Sequence, residues 1–206
     1  MEQRSEEWFA ARAGCVTASR TADVMAKSRT GRPSASRGTY MAQLITERLM
    51  GAKTDGFSSA AMQWGTETEP QARAAYELMT GEDVLEDGFV AHPTIKGFGA
   101  SPDGLVGADG LVEIKCPNSA THIDTLLSEK VPAKYITQMQ VQMMCCQREW
   151  CDFVSFDPRL PGDMNFWMKR VWADADRQKI IETEVRLFLL EAEDKLQRLR
   201  DKFDAV

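Results

Sequence analysis

Three ionisable residues near the middle of the chain have the spacing of a site for a cation and a phosphate. Asp103 stands in Ser101-Pro102-Asp103-Gly104, a turn composition. Glu113 and Lys115 stand in Leu111-Val112-Glu113-Ile114-Lys115-Cys116-Pro117. The stretch from Leu111 to Cys116 is short, apolar and stopped by proline, which reads as a strand. Strand side chains alternate, so Glu113 and Lys115 share one face and Val112 and Ile114 the other. A hairpin through the Pro-Asp-Gly turn brings Asp103 back beside Glu113. Two carboxylates so placed suit a hard cation, and a neighbouring lysine reaches a metal-bound water or a phosphate oxygen. Taken singly, a Glu-x-Lys pair is a solvated strand face and an Asp before Gly is a turn. The coincidence of all three inside an apolar frame points to metal-dependent phosphodiester chemistry.

The flanking elements must hold that hairpin. Ser5 to Ala13 reads as a short helix, with Ser5 as cap, Glu6 and Glu7 in the first turn and Gly14 at its end. A second helix is expected from Thr17-Ala18-Ser19, whose hydroxyls and amides serve either as an anion site or as ordinary caps. Residues 28–36 and 51–59 read as loops. Tyr40–Met50 reads as a helix with Leu44, Ile45 and Leu49 inward, and 60–79 as a longer one carrying Trp64, Gly65 (close packing), Glu67 and Glu69. Strands are expected over 84–91, 97–100 and 111–116, as a three-strand meander. Helices are expected over 121–128 and 131–146, the latter aligning Tyr135, Gln138, Gln142 and Cys146. A hairpin over 150–156 and 164–171 and one long packing or oligomer helix over 174–203 complete the chain. The order implies an α/β (α+β) architecture with a central mixed sheet.

The 206 residues suit a single domain, 1–206,. No signal-like start and no membrane-length apolar run appear, so a cytoplasmic protein is expected. The five cysteines are odd in number and lack a zinc or iron–sulfur spacing, which reads as reduced core residues,. A net charge of −6 argues against a general nucleic-acid binder,. The segment from Gly14 to Arg37 departs from that balance, with Arg20, Lys27, Arg29, Arg32 and Arg37 against Asp23 alone. A local basic arm suits a groove for a nucleic-acid backbone as well as it suits a soluble loop.

Asp103 with Glu113-Ile114-Lys115 resembles the signature of the PD-(D/E)XK nuclease superfamily. The flanks resemble the phage lambda exonuclease family, the YqaJ-like alkaline exonucleases. The matching blocks are Ser5-x-x-Trp8-x-x-x-Arg12-x-Gly14-x-x-Thr17-Ala18-Ser19, Trp64-Gly65-x-x-x-Glu69, Lys115-Cys116-Pro117, and Tyr135 followed by Gln138-x-Gln140. They run in order from Ser5 to Asp157-Pro158-Arg159. The chain departs from the family in starting close to Trp8, and the basic loop is a variable part of it.

The resemblance implies a restriction-endonuclease-like core. It implies a 5′→3′ exonuclease that degrades one strand from double-stranded DNA ends and leaves a 3′ single-stranded tail for phage-type recombination. It further implies a homotrimer ring, a single-strand-annealing recombinase as partner, a bacterial host cytoplasm and no membrane. Asp103, Glu113 and the Ile114 carbonyl would hold Mg²⁺, in a two-ion site where Mn²⁺ can substitute, with Glu69 completing the acidic cluster. Lys115 would orient or help deprotonate the attacking water, and Gln138 would position the lysine or the nucleophile. Arg12, Ser19 and Ser101 would form the 5′-phosphate pocket. Arg29 would follow the backbone or a groove, and Met62 would wedge the terminal base pair. Two further readings stay open on the same core: another nuclease (an endonuclease or RecB-like domain), and a non-catalytic DNA-end-binding protein.

Overall fold

The computed structural model describes residues 1–53 and 59–203. The loop expected over 51–59 therefore lies mostly outside the described residues. The chain opens with α1 (Glu6–Arg12), where the Ser5 side chain accepts from Trp8 N. Gly14 follows at φ +68°, a left-handed turn that glycine adopts without strain,. Then come β1 (Val16–Thr17), a 3₁₀ turn (Ala18–Arg20), α2 (Thr21–Met25), α3 (Ala35–Met50) and α4 (Ala60–Thr80). Ser34 and Ser59 cap α3 and α4, and Gly51 and Gly81 end them in the left-handed conformation,. Five short strands follow: β2 (Val84–Leu85), β3 (Val90–Ala91), β4 (Phe98–Ala100), β5 (Gly104–Val106) and β6 (Gly110–Lys115). The chain closes with α5 (Ser119–Ser128), α6 (Ala133–Cys146), β7 (Trp150–Phe156), β8 (Phe166–Trp172) and α7 (Ala175–Phe203).

A five-stranded sheet runs in the order β2-β5-β6-β7-β8. The β6–β7 pair is parallel and the other pairs are antiparallel, so the sheet is mixed. The parallel step needs a crossover, and α5 and α6 supply it. A smaller sheet, β1-β4-β3, stands apart from it. Among the described residues no helix is long and apolar enough to cross a membrane.

The alternation expected in β6 is observed. Val112 and Ile114 pack on one face with Ala72 and Tyr76 of α4 and with Val154 and Phe156. Leu111 packs on the other face with Met139 and Met143 of α6. Glu113 and Lys115 share this second face, so α6 covers the ionisable residues. A third cluster joins β1, α3, β4 and α7, with Phe188 stacked on Tyr40 at 5.6 Å. A buried phenylalanine of this kind contributes on the order of 2 kcal/mol.

Several expectations are corrected. The single strand expected over 84–91 is two strands in two sheets: β2 pairs with β5, whereas β3 pairs with β4. Residues 86–89 are irregular and link them. Strands β1 and β5 were not expected at all. Thr17 is a strand residue without a side-chain capping hydrogen bond; a 3₁₀ turn begins at Ala18, and the α-helix at Thr21. Helix α3 starts five residues before Tyr40, so Arg37 leaves the basic arm and pairs with Glu191 at 2.7 Å. Leu49 is exposed. A Cβ on Gly65 would meet nothing within 4 Å, so close packing does not explain it. All five cysteines are free, and Cys116, Cys145 and Cys151 are buried.

Candidate active site

The hairpin expected through Pro-Asp-Gly is corrected: β5 and β6 turn at residues 107–109, and Asp103 lies in the bend just before β5, at the open end of the hairpin. Its register pairs Gly104 with Val112, so Asp103 and Glu113 face each other one step further on. Asp103 is fixed there because its Oδ2 accepts from Ile114 N at 2.7 Å. Lys115 Nζ lies against Glu113 Oε1 and 3.9 Å from Asp103 Oδ2. Gln138 of α6 donates to Glu113 Oε1 at 2.7 Å.

Glu113 is fully buried. Burial first, and then the charge of Asp103, push its pKa up to about 7 despite Lys115 and Gln142,. Burial lowers the pKa of Lys115, but the charges of Glu113 and Asp103 outweigh it and raise the ammonium above its ordinary value. Of this pair the carboxyl titrates near neutrality, while the ammonium keeps its proton.

Glu69 lies on α4. Burial and then the charge of Asp103 raise its pKa. Arg4 and Arg73 each donate to one of its oxygens at 3.0 Å. Glu67, by contrast, is exposed and accepts from Gln63.

A cation fits this donor set. It is all oxygen, as a hard divalent ion prefers. The charge of Asp103 already raises both Glu113 and Glu69, so three carboxylates crowd one region. The Lys115 ammonium sits where they need positive charge. Among the described residues no three His, Cys, Asp or Glu side chains converge as a ready ligand set. Ligation would therefore exchange the lysine, and the exposed Arg4, for the ion.

The second half of the site comes from distant segments. Arg12 Nη1 donates to Ser101 Oγ at 2.8 Å and Trp8 Nε1 donates to the same oxygen at 2.9 Å. The Arg12 guanidinium stacks 4.0 Å from the centre of the Trp8 ring,. Burial lowers the Arg12 pKa, and its buried Nε has no partner among the described residues. A half-buried cation with a free donor is prepared for an anion. Ser19 lies on the 3₁₀ turn, exposed, with Thr17 Oγ1 at 3.4 Å. Gln3, Trp8, Arg12, Ser19, Ser101, Asp103 and Gln138 line one cavity of about 150 Å³. The Asp103 bend and the arginine pocket thus open into the same space. A larger groove of about 960 Å³, beside Arg48 and Leu189, shares no residue with it.

Arg29 is exposed on the 28–33 turn and makes no contact with this cavity. Its neighbours Arg20 and Lys27 are paired with Asp23 and Glu184. Met62 is exposed in the first turn of α4, so it is not a core residue. Gln140 belongs elsewhere, holding Trp172 O and Asp174 N where β8 meets α7.

Three residues near the site went unrecognised. Trp8 stands in the family block but carries no site role of its own there. Gln142 stood in the helical row with Gln138, but helical spacing alone could not show that it reaches Glu113. Lys53 brings a second cation close enough that burial, and then the charge of Arg12, lower its pKa. No signal in its sequence neighbourhood marks it.

The comparisons with known proteins define the class. The YqaJ-like viral recombinase domain matches residues 7–149, and the chain belongs to that family. More particularly, the chain is similar to LHK-Exo, an alkaline exonuclease from Laribacter hongkongensis. The identity is 56% over 96% of this chain and 97% of that one, with a TM-score of 0.90. The structure of LHK-Exo in complex with dAMP matches with the same identity and coverage and a TM-score of 0.91. A phage-related exonuclease from Haemophilus somnus 129PT matches in fold, with 15% identity over 90% of this chain and 96% of that one and a TM-score of 0.73. No curated protein matches the chain significantly.

Proposed function

We propose that this protein is a Mg²⁺-dependent 5′→3′ exonuclease acting on double-stranded DNA ends. One observation carries the reading. The cavity that holds Arg12, Ser19 and Ser101 also holds Asp103 and Gln138. A phosphate held by the first group would lie beside Asp103, one of the carboxylates that would serve the scissile bond. That arrangement measures from a phosphorylated end, which an endonuclease does not need. The intact Asp103, Glu113 and Lys115 argue against a purely binding role.

Asp103, Glu113 and the Ile114 carbonyl would hold the ion, with Glu69 completing the cluster. When bound, such an ion lowers the pKa of a water and stabilises charge on the phosphate, and a pair of ions holds both the attacking and leaving oxygens. Mn²⁺ would serve in place of Mg²⁺. Lys115 Nζ, released from Glu113, would orient the attacking water or take part in its deprotonation. Gln138 would hold Glu113 Oε1 or the freed lysine. Arg12 would grip the 5′-phosphate through Nη1 and the free Nε, with the Ser19 and Ser101 hydroxyls donating. Arg29 would follow the backbone, and the exposed Met62 would part the terminal base pair.

Degradation of one strand would leave a 3′ tail for a single-strand-annealing recombinase in the cytoplasm of a bacterial host. The 1–206 chain would act as one domain within a homotrimer ring around DNA. Linear duplex labelled separately at each 5′ and 3′ end, digested with Mg²⁺ and then with EDTA, tests polarity, strand bias and metal need together. Loss of 5′ label first, only with Mg²⁺, is expected. Loss of 3′ label first, or cutting of covalently closed circles, would overturn the reading.

A further inference from the structure

Gln138 is one of two amides that α6 presents to the site. Gln142, one helical turn further on, is wholly buried. Its Nε2 donates to Glu113 Oε2 at 2.5 Å, while Gln138 Nε2 donates to Oε1 at 2.7 Å. The two amides therefore hold opposite oxygens of one buried carboxylate. Their settings differ. Gln138 is half-buried, lines the cavity and shares Oε1 with Lys115. Gln142 is sealed from solvent, and no other side chain donates to Oε2 among the hydrogen bonds of the described residues.

The orientation of Gln142 is also fixed at a cost. Its own Oε1 is buried and has no partner among the described residues. An unsatisfied buried acceptor costs about 1–3 kcal/mol. Turning the amide over would set acceptor against acceptor at Glu113 Oε2, so the donor stays on the carboxylate. The same Nε2 comes to 3.5 Å of the Ser101 carbonyl, at the outer limit of a hydrogen bond.

We infer that Gln142 is a positioning residue for the metal carboxylate. It anchors Glu113 by Oε2 and so commits Oε1, the oxygen held by cavity-lining Gln138 and by Lys115, to the incoming cation. Gln138 and Lys115 are the exchangeable partners of Oε1, and Gln142 is the fixed one. This rests on the reading of Glu113 as a metal ligand. Groups that orient a ligand in this way typically contribute about ten- to hundredfold in metal affinity.

Calorimetric titration of the full chain with Mn²⁺ alone, without DNA, tests the assignment. Gln142→Met keeps the side-chain length and removes the donor. It is expected to bind Mn²⁺ roughly ten- to hundredfold more weakly than wild type. The Mg²⁺ concentration for half-maximal digestion should rise by the same factor, and excess Mg²⁺ should restore turnover to within a few-fold. Gln138→Met should instead lower turnover at saturating Mg²⁺ more than it lowers metal affinity. Cooperative melting of the metal-free variant establishes that it folds. Should Gln142→Met not fold, Gln142→Asn retains an amide that is one methylene short of Oε2, and the same weakening is expected. A folded Gln142 variant with wild-type Mn²⁺ affinity would overturn the inference and leave the proposed function standing. A wild type that binds no Mn²⁺ would overturn both.

Discussion

Asp103, Glu113 and Lys115 come from one hairpin, whereas Arg12 and Ser101, which bond each other, are 89 residues apart in the chain. The two halves of the cavity differ in their internal pairing as well. In the hairpin every charge already has a partner: Asp103 holds Ile114 N, and Glu113 holds Lys115 and two amides. In the pocket Arg12 is half-buried, with its buried Nε unpartnered among the described residues. On the proposed reading a cation would have to displace internal partners in the first half, while an anion would meet an unsatisfied donor in the second. The hairpin is electrostatically self-compensated, and the pocket is not.

The largest effect expected is at Asp103. Asp103→Asn keeps an acceptor for Ile114 N and removes the charge. Loss of metal-assisted charge stabilisation of about 4 kcal/mol corresponds to roughly a thousandfold in rate. Mg²⁺-dependent digestion should fall by that order while the melting temperature stays near wild type. Retained digestion would show that the hairpin is only a structural ion-pair network.

The β6 strand was legible in the sequence, because proline stops it and period-2 alternation puts Glu113 and Lys115 on one face. The turn was not: the chain reverses at 107–109, after a strand of only three residues, and not at Pro-Asp-Gly. The pocket was legible only through resemblance. Nothing local in Arg12 or Ser101 states that they meet, since their contact is made by the parallel pairing of β1 with β4. Those strands have two and three residues, too few for a periodic signal. Gln142 was hidden for a third reason: a buried glutamine on an apolar helix face looks the same whether it bonds backbone, as Gln140 does, or a carboxylate. Likewise, the exposure of Leu49 was not legible, because helical spacing says which residues share a face but not which of them a neighbour covers.

The next effect concerns the arginine pocket. Arg12→Ala removes charge-assisted bonds worth about 1.5–3 kcal/mol, or roughly ten- to hundredfold. The preference for 5′-phosphorylated over 5′-hydroxyl ends should shrink by that factor, with digestion of hydroxyl ends little changed. A wild type without such a preference would remove the pocket from the comparison.

Protonation separates the halves by pH. As the proposed ligand Glu113 would bind as a carboxylate, and its pKa is raised to about 7. Each pH unit below that reduces the ionised form about tenfold, so Mg²⁺ affinity by calorimetry should rise with pH up to about 7 and then level off. For stability the sign is opposite. The folded pKa lies above the ordinary 4.5, so the metal-free fold retains a proton that the unfolded chain has released. That contribution is fully present below about 4.5 and is lost as pH rises through about 7,. The part of the melting temperature that depends on Glu113, measured against Glu113→Gln in EDTA, should fall from pH 5 to pH 8. Saturating Mg²⁺ should reverse the trend, and a flat difference would show that the carboxyl is already ionised in the fold.

The smallest effect tests whether the pocket is preassembled. Trp8→Phe keeps an aromatic ring under the Arg12 guanidinium but deletes the indole donor to Ser101 Oγ. One such bond contributes about 1 kcal/mol, or roughly fivefold. If Trp8 orders Ser101 before the anion arrives, the preference for 5′-phosphate should drop by that modest factor, through weaker binding of the end rather than slower turnover. Ser101→Ala should then make Trp8→Phe silent, because the indole would have no hydroxyl left to hold. Additive losses in the double variant would mean that Trp8 acts on Arg12 through the ring alone. The pocket would then be held by stacking, not by the hydrogen bonds that meet at Ser101.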